Sequence, residues 1–274
     1  MKFGLLKVFL RLSRTAFISW SVGVAMLVTM VAALYPSLRD IEALKDYMEA
    51  LPDALLVAVG QSGIATEDLF PGGRYDFRAF ISVEYLSWLP VMLSLYAVFY
   101  CGGLVAREVE RGTADMLLSH PLARWQFVLT KFTAFSLVVF GVVFVSWLVT
   151  VVAVPLVGAE ANILYLGLAH FVAMLVALSI GSYCVLLSCI FLNPGKALAA
   201  SGGITFGLYF MNILAALSNP IEFLQKLSPF YYYEALPILY SGTVNLVGIG
   251  VFVTMMVSGL LIAMWVFQRK DLLN

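Results

Sequence analysis

Few side chains in this sequence could do chemistry, and their spacing narrows the options further. Cys101, Cys184 and Cys189 lie in apolar stretches. They match no metal-ligand spacing and cannot form an exported disulfide framework, so they read as small core residues. His120 and His170 stand fifty residues apart. A membrane histidine could relay protons, yet no carboxylate shares the neutral stretch around His170. Ser179, Ser182 and Ser188 follow His170 on the same stretch without forming a nucleophile motif. A phosphate-cradling loop needs G-x-x-x-x-G-K-[ST]. The Gly195-Lys196 pair is followed by Ala197 and lacks the upstream glycine. The expectation is a non-enzymatic chain with no catalytic, metal or cofactor-binding residue of its own and no nucleic-acid partner.

What remains is an island of charge. Arg107, Glu108, Glu110, Arg111, Asp115, Arg124 and Lys131 punctuate residues 107–131, whereas 85–106 and 132–159 carry no Asp, Glu, Lys or Arg. Gly112 is suited to end a helix, and Thr113 to cap the next one, with Asp115 in its first turn. Met116, Leu117 and Leu118 give that short helix an apolar face, and Pro121 stops it. Arg124, Trp125 and Lys131 then anchor the following apolar segment at a membrane surface. The plainer alternative is an ordinary solvated loop.

The elements on either side of the island must be membrane helices. Of 274 residues, 62% are hydrophobic and 12% charged, with mean hydropathy +0.97; a soluble domain carries about 25% charge. Six windows are free of charge: 15–38, 85–106, 132–159, 161–195, 197–221 and 235–268. Each exceeds the roughly 20 residues that a helix needs to cross about 30 Å of hydrocarbon. The first is too long for a signal-peptide core and is read as a retained span. The fold class expected is an all-α integral membrane protein with six transmembrane helices in a single domain, 1–274.

The spans are expected near 15–35 (closed by Tyr35-Pro36), 82–106 (kinked at Pro90), 129–154, 163–191, 197–217 and 244–267. With the N-terminus inside, eleven of the sixteen basic residues fall on the cytoplasmic side, as the positive-inside bias requires. Both termini are then cytoplasmic, in the plasma (inner) membrane. Lys7, Arg11 and Arg14 share one helical face at i, i+4 and i+7, opposite Leu5, Val8, Phe9 and Leu12. This predicts an amphipathic helix over 2–14 at the lipid interface; the alternative is a continuous extension of span one. Short external helices are expected after Ser37, with Ile41, Leu44, Met48 and Leu51 on one face, over 53–59, and within 218–243. Phe70-Pro-Gly-Gly73 reads as a turn. Tyr75, Phe77, Phe80, Tyr85 and Trp88 read as an aromatic belt. Gly203 and Gly207 form a small-xxx-small face that suits close helix approach, within one subunit or between two.

Glu108-x-Glu110-x-Gly112-Thr113-x-x-x-Leu117-Leu118-x-x-Pro121-x-x-Arg124, followed by Lys131 entering a span, resembles the coupling region of type-2 ABC exporter permeases. The basic N-terminal helix, Asn193-Pro-Gly-Lys196-Ala197, Ser228-Pro229-Phe230 and the stop at Arg269-Lys270-Asp271 agree with that resemblance. It implies a permease subunit of an ATP-binding-cassette exporter. The helix at 113–120 would dock on a separate ATPase subunit, which holds the ATP and Mg. Glu108 and Glu110 would brace the spans or pair with basic groups of the ATPase. A second permease, identical or homologous, would complete the path, with Gly203 and Gly207 a possible dimer contact and lipid around the whole. The apolar spans suggest an amphiphilic cargo. The rival readings are an ATP-independent carrier or channel, and a membrane assembly or scaffold protein.

Overall fold

The computed structural model describes residues 3–40, 46, 50, 66–112, 123–217 and 219–270. These residues are helical or turn, with no strand among them. Six helical stretches are long and apolar enough to cross a membrane: Arg14–Leu38, Phe77–Glu110, Arg124–Leu156, Ile163–Phe191, Pro194–Ala216 and Leu246–Arg269, here spans one to six. Such helices satisfy their backbone polarity internally, as hydrocarbon demands. Span four packs along spans two, three, five and six, and span one lies on span three. In the most apolar window of spans two and four, 72% and 61% of residues are buried, against 17% in span five. Spans two and four are therefore the centre of the bundle, and span five is its rim.

Several boundaries differ from expectation. Span one does not close at Tyr35-Pro36 but runs through Pro36 to Leu38. Pro36 has no N–H to give Ala32 O, so the last turn carries one ladder bond fewer, and Arg39 N–H still closes it on Tyr35 O at 3.0 Å. Span three begins at Arg124, and span two at Phe77. Pro90 does sit at an irregularity within span two. It stands at the first turn of the helix Leu89–Cys101, after a π-helical turn over Ser82–Leu86, a position where a missing N–H is harmless. The expected external helices over 41–51 and 53–59 lie outside the described residues, positions 46 and 50 apart. Within 218–243 the short helices are present: 3-10 turns at Asn219–Leu227 and Pro229–Tyr232, then Ala235–Ser241.

The N-terminal helix, Phe3–Leu12, meets span one at Ser13. Phe9 O accepts from Ser13 N–H at 3.0 Å and Ser13 O from Phe17 N–H at 2.9 Å, so the joint is tight. Its apolar stripe is not the one expected. Leu6, Phe9 and Ser13 are buried and the helix packs on span three, while Val8 and Leu12 are exposed beside Lys7 and Arg11.

The aromatic belt is also corrected. Tyr75, Phe77, Phe80 and Tyr85 are buried, and only Trp88 of the five is exposed. Three of them, Tyr75, Phe77 and Phe80, fasten a polar cap at the end of the bundle away from the island. Tyr35 packs edge-on to Phe77 at 5.1 Å and donates to Tyr75 O at 2.9 Å. Asp76 caps the start of span two by accepting from Arg78 N–H and pairs with the Arg78 guanidinium, both at 2.6 Å. Arg78 in turn sits 4.0 Å from the centre of the Tyr240 ring. These residues and the Gly158–Asn162 turn line a cavity of about 570 Å³.

Spans four and six are in close contact at Gly259, where an added Cβ would lie 2.6 Å from Ser182 Oγ and 3.2 Å from the Ser182 backbone carbon. That hydroxyl is already committed to Ser179 O and Met255 O. Gly259→Leu should therefore destabilise the protein by about 1–3 kcal/mol, the usual cost of overpacking. Gly23→Ala, in open space inside the span-one helix, should leave stability unchanged or raise it by up to about 1 kcal/mol. Thermal unfolding in detergent compares the two.

Candidate functional site

The charged island starts and ends at one end of the bundle, and the described residues on its two flanks are held in place. Span two breaks between Cys101 and Ala106. Leu104 N–H bonds back to Cys101 O at 3.1 Å, and Glu108 N–H to Val105 O at 3.0 Å. That rearrangement frees the N–H groups of Val105 and Ala106 and the carbonyl of Leu104. Ser188, fully buried on span four, accepts from both N–H groups at 3.0 Å. Lys131 on span three donates to Leu104 O at 3.1 Å. The break is thus closed by side chains from two neighbouring spans.

Lys131 also pairs with Glu108 at 2.6 Å. The sequence placed this lysine at the membrane surface, but it is 8% exposed. Its ammonium lies 5.1 Å from the centre of the Phe9 ring and 5.0 Å from that of Phe127, within range of attraction to the ring faces. Removing one partner from such a buried pair leaves an uncompensated charge, at a cost of about 3–5 kcal/mol. Past Glu108 the helix ends as its residues allow. Glu110 and Arg111 are exposed, and Gly112 takes φ +67°, the left-handed conformation that ends helices. Arg107 folds back to donate to Phe99 O at 3.1 Å. It can do so because Gly103 has no side chain: a Cβ there would lie 2.4 Å from Arg107 Nε.

On the far flank, Arg124 opens span three and donates to Phe267 O at 3.3 Å and Lys270 O at 2.5 Å. Lys270 Nζ donates to Ile190 O at 2.6 Å. Cations thereby cover the carbonyl ends of spans six and four, where the helix dipole favours them. Asn193 caps span five by accepting from Lys196 N–H at 2.9 Å, so that helix starts at Pro194 instead of 197 and only Leu192 and Asn193 connect it to span four. Thr113, Leu117, Leu118 and Pro121 lie outside the described residues.

Of the expected site residues, Glu108 is thus tied to span three, Glu110 and Gly112 are exposed, and Arg124 is tied to span six. Lys131 and Ser188 were not singled out as a pair of clamps. Lys131 is the lysine seven residues into a long apolar helix, which was a readable sign of a buried partner. Ser188 gave no sign. Gly203 and Gly207 are exposed on span five, with nothing within 4 Å of a Cβ at either. Close packing within this subunit therefore does not account for them.

A family model described as ABC-2 family transporter protein matches residues 10–272. The chain belongs to that family. A search of curated proteins finds no match. The ABC-2 chain is accordingly a multi-pass membrane subunit of an ABC transporter, from a family whose membrane subunits are generally non-catalytic and associate with ATP-binding-cassette ATPases.

The break in span two supplies a direct check. Ser188→Ala leaves two buried N–H groups without an acceptor, and should cost the ABC-2 chain about 1–3 kcal/mol for each unsatisfied group. Ser188→Thr, which keeps the hydroxyl, should cost less. Unfolding midpoints of the two purified variants measure the difference.

Proposed function

We propose that this chain is the permease half of an ATP-driven exporter of the plasma (inner) membrane, with its island on the cytoplasmic side. Glu110, Gly112, Thr113, Leu117, Leu118 and Pro121 form the surface that a separate ATPase subunit presses, and Glu108 and Arg124 anchor its two flanks. ATP and Mg are held by that partner. The observation that carries this reading is the pair of anchored flanks: the chain is tied at Glu108 by Lys131 on one side of the island and at Arg124 to span six on the other. The family match supports the partner class. Exposed Gly203 and Gly207, with exposed Ile204, Phe206, Phe210 and Leu214 on the same span, support a face for a second permease. An amphiphilic cargo suits spans this apolar.

The ATPase contact is tested by co-purification. Leu117→Asp should weaken capture of the ATP-binding-cassette subunit roughly 30-fold, the effect of losing about 2 kcal/mol from an interface anchor. Capture unchanged by Leu117→Asp and Leu118→Asp together would remove the coupling role and favour a carrier or scaffold. Orientation is tested by labelling. Cys101, Cys184 and Cys189 are buried and supply little background. Glu110→Cys should react with an impermeant maleimide only in inverted vesicles, and Arg74→Cys in intact cells. The reverse pattern would overturn the orientation.

A further inference from the structure

Lys131 gathers three separate stretches of chain around one ammonium. It bonds Leu104 O inside the break of span two and Glu108 on the helix Ala106–Glu110 beyond it, and it faces the ring of Phe9 on the N-terminal helix. Ser188 grips the same break from span four through Val105 and Ala106 N–H. Between them, these two side chains define the direction in which Ala106–Glu110 leaves the bundle. A position that served packing alone would suit an apolar chain of the same length, which would avoid the cost of dehydrating an ammonium. The lysine's directed bonds are what methionine could not supply.

We propose that Lys131 is a positioning residue for ATP coupling. It fixes the angle of Ala106–Glu110 against span three and the N-terminal helix, so that nucleotide turnover on the partner and the arrangement of these three elements change together. The inference rests on the reading that the island meets an ATPase. It adds that the N-terminal helix is part of the same coupled unit, through Phe9.

The test uses the full chain in lipid nanodiscs, alone and co-purified with its ATPase. Amide hydrogen exchange of residues 105–112 is read on the chain alone, and ATP hydrolysis per assembled complex on the pair. Lys131→Met is expected to speed exchange of 105–112 about tenfold or more, since charge-assisted bonds of this kind are lost. Exchange in spans four and six should stay unchanged. Hydrolysis per complex should fall about tenfold, an effect the size of a typical coupling free energy, while the amount of ATPase captured stays within about twofold. Lys131→Arg, which keeps the charge and donors, should restore both readouts. Should Lys131→Met not accumulate, Glu108→Gln removes the ion pair at constant volume and carries the same expectations.

A lower yield with normal exchange at 105–112 and normal hydrolysis per complex would overturn the positioning role, because a purely structural lysine gives that result. If the unmodified chain captures no ATP-binding-cassette subunit, the functional reading has failed. The exchange arm then still decides whether Lys131 sets the angle of Ala106–Glu110.

Discussion

Inside a bilayer no water is at hand to pair a backbone group that its helix has released. Each orphan there costs several kcal/mol, roughly what a buried amide pays on leaving water. Span two nevertheless breaks after Cys101, and the rest of the inner end follows from closing that break. Two N–H groups need an acceptor, so span four must bring Ser188 to them. One carbonyl needs a donor, so span three must bring Lys131. A lysine so deep needs a counter-charge and soft partners. Glu108, Phe9 and Phe127 provide these, which in turn fixes the N-terminal helix against span three.

The same constraint organises the other half of the bundle. Span two is irregular again over Ser82–Leu86, where Tyr85 turns its hydroxyl inward. It bonds Ser146 on span three, and Ser146 lies 2.9 Å from His170 Nε2 on span four. His170 Nδ1 lies 2.8 Å from Leu166 O, which can only accept. Nδ1 therefore carries the proton, leaving Nε2 to accept from Ser146 and Ser146 to accept from Tyr85. Every member is satisfied, so a set of polar groups that would be costly alone becomes a lock joining spans two, three and four. His170 needs no proton-relay role to explain its presence.

Much of this was legible in the sequence, and the parts that were not share a cause. Six charge-free windows gave six spans because hydrocarbon penalises every unpaired charge. The helix ends were misplaced where a charge was paired instead of excluded. Span three starts eight residues before its neutral window because Lys131, between the two points, is buried against Glu108. Glu108 is 23 residues away and Ser188 is more than 80 from its partners, distances at which local pattern carries no signal. The aromatic run 75–88 was read as a belt because Tyr and Trp favour interfaces. Whether such a ring faces lipid or its neighbours depends on packing that only the folded bundle shows. The stripe of the N-terminal helix went astray in the same way: Val8 and Leu12 are as apolar as Leu6 and Phe9, and span three selects which pair is covered.

The two flanks of the island are fastened to different spans. On the upstream side, Lys131 ties Glu108 and Leu104 to span three, and Ser188 ties Val105 and Ala106 to span four. On the downstream side, Arg124 holds the end of span six, whose Lys270 holds the end of span four. Spans two, three, four and six are thus joined by directed bonds at this end. Span five is tied in as well, by the bond between the Tyr183 hydroxyl on span four and the Thr205 hydroxyl on span five, and it closes on span two, where Ser201 Oγ lies 3.1 Å from where a Gly102 Cβ would stand. Directed bonds therefore link spans two to six, and the outer face of span five, with Gly203 and Gly207, is left uncovered among the described residues.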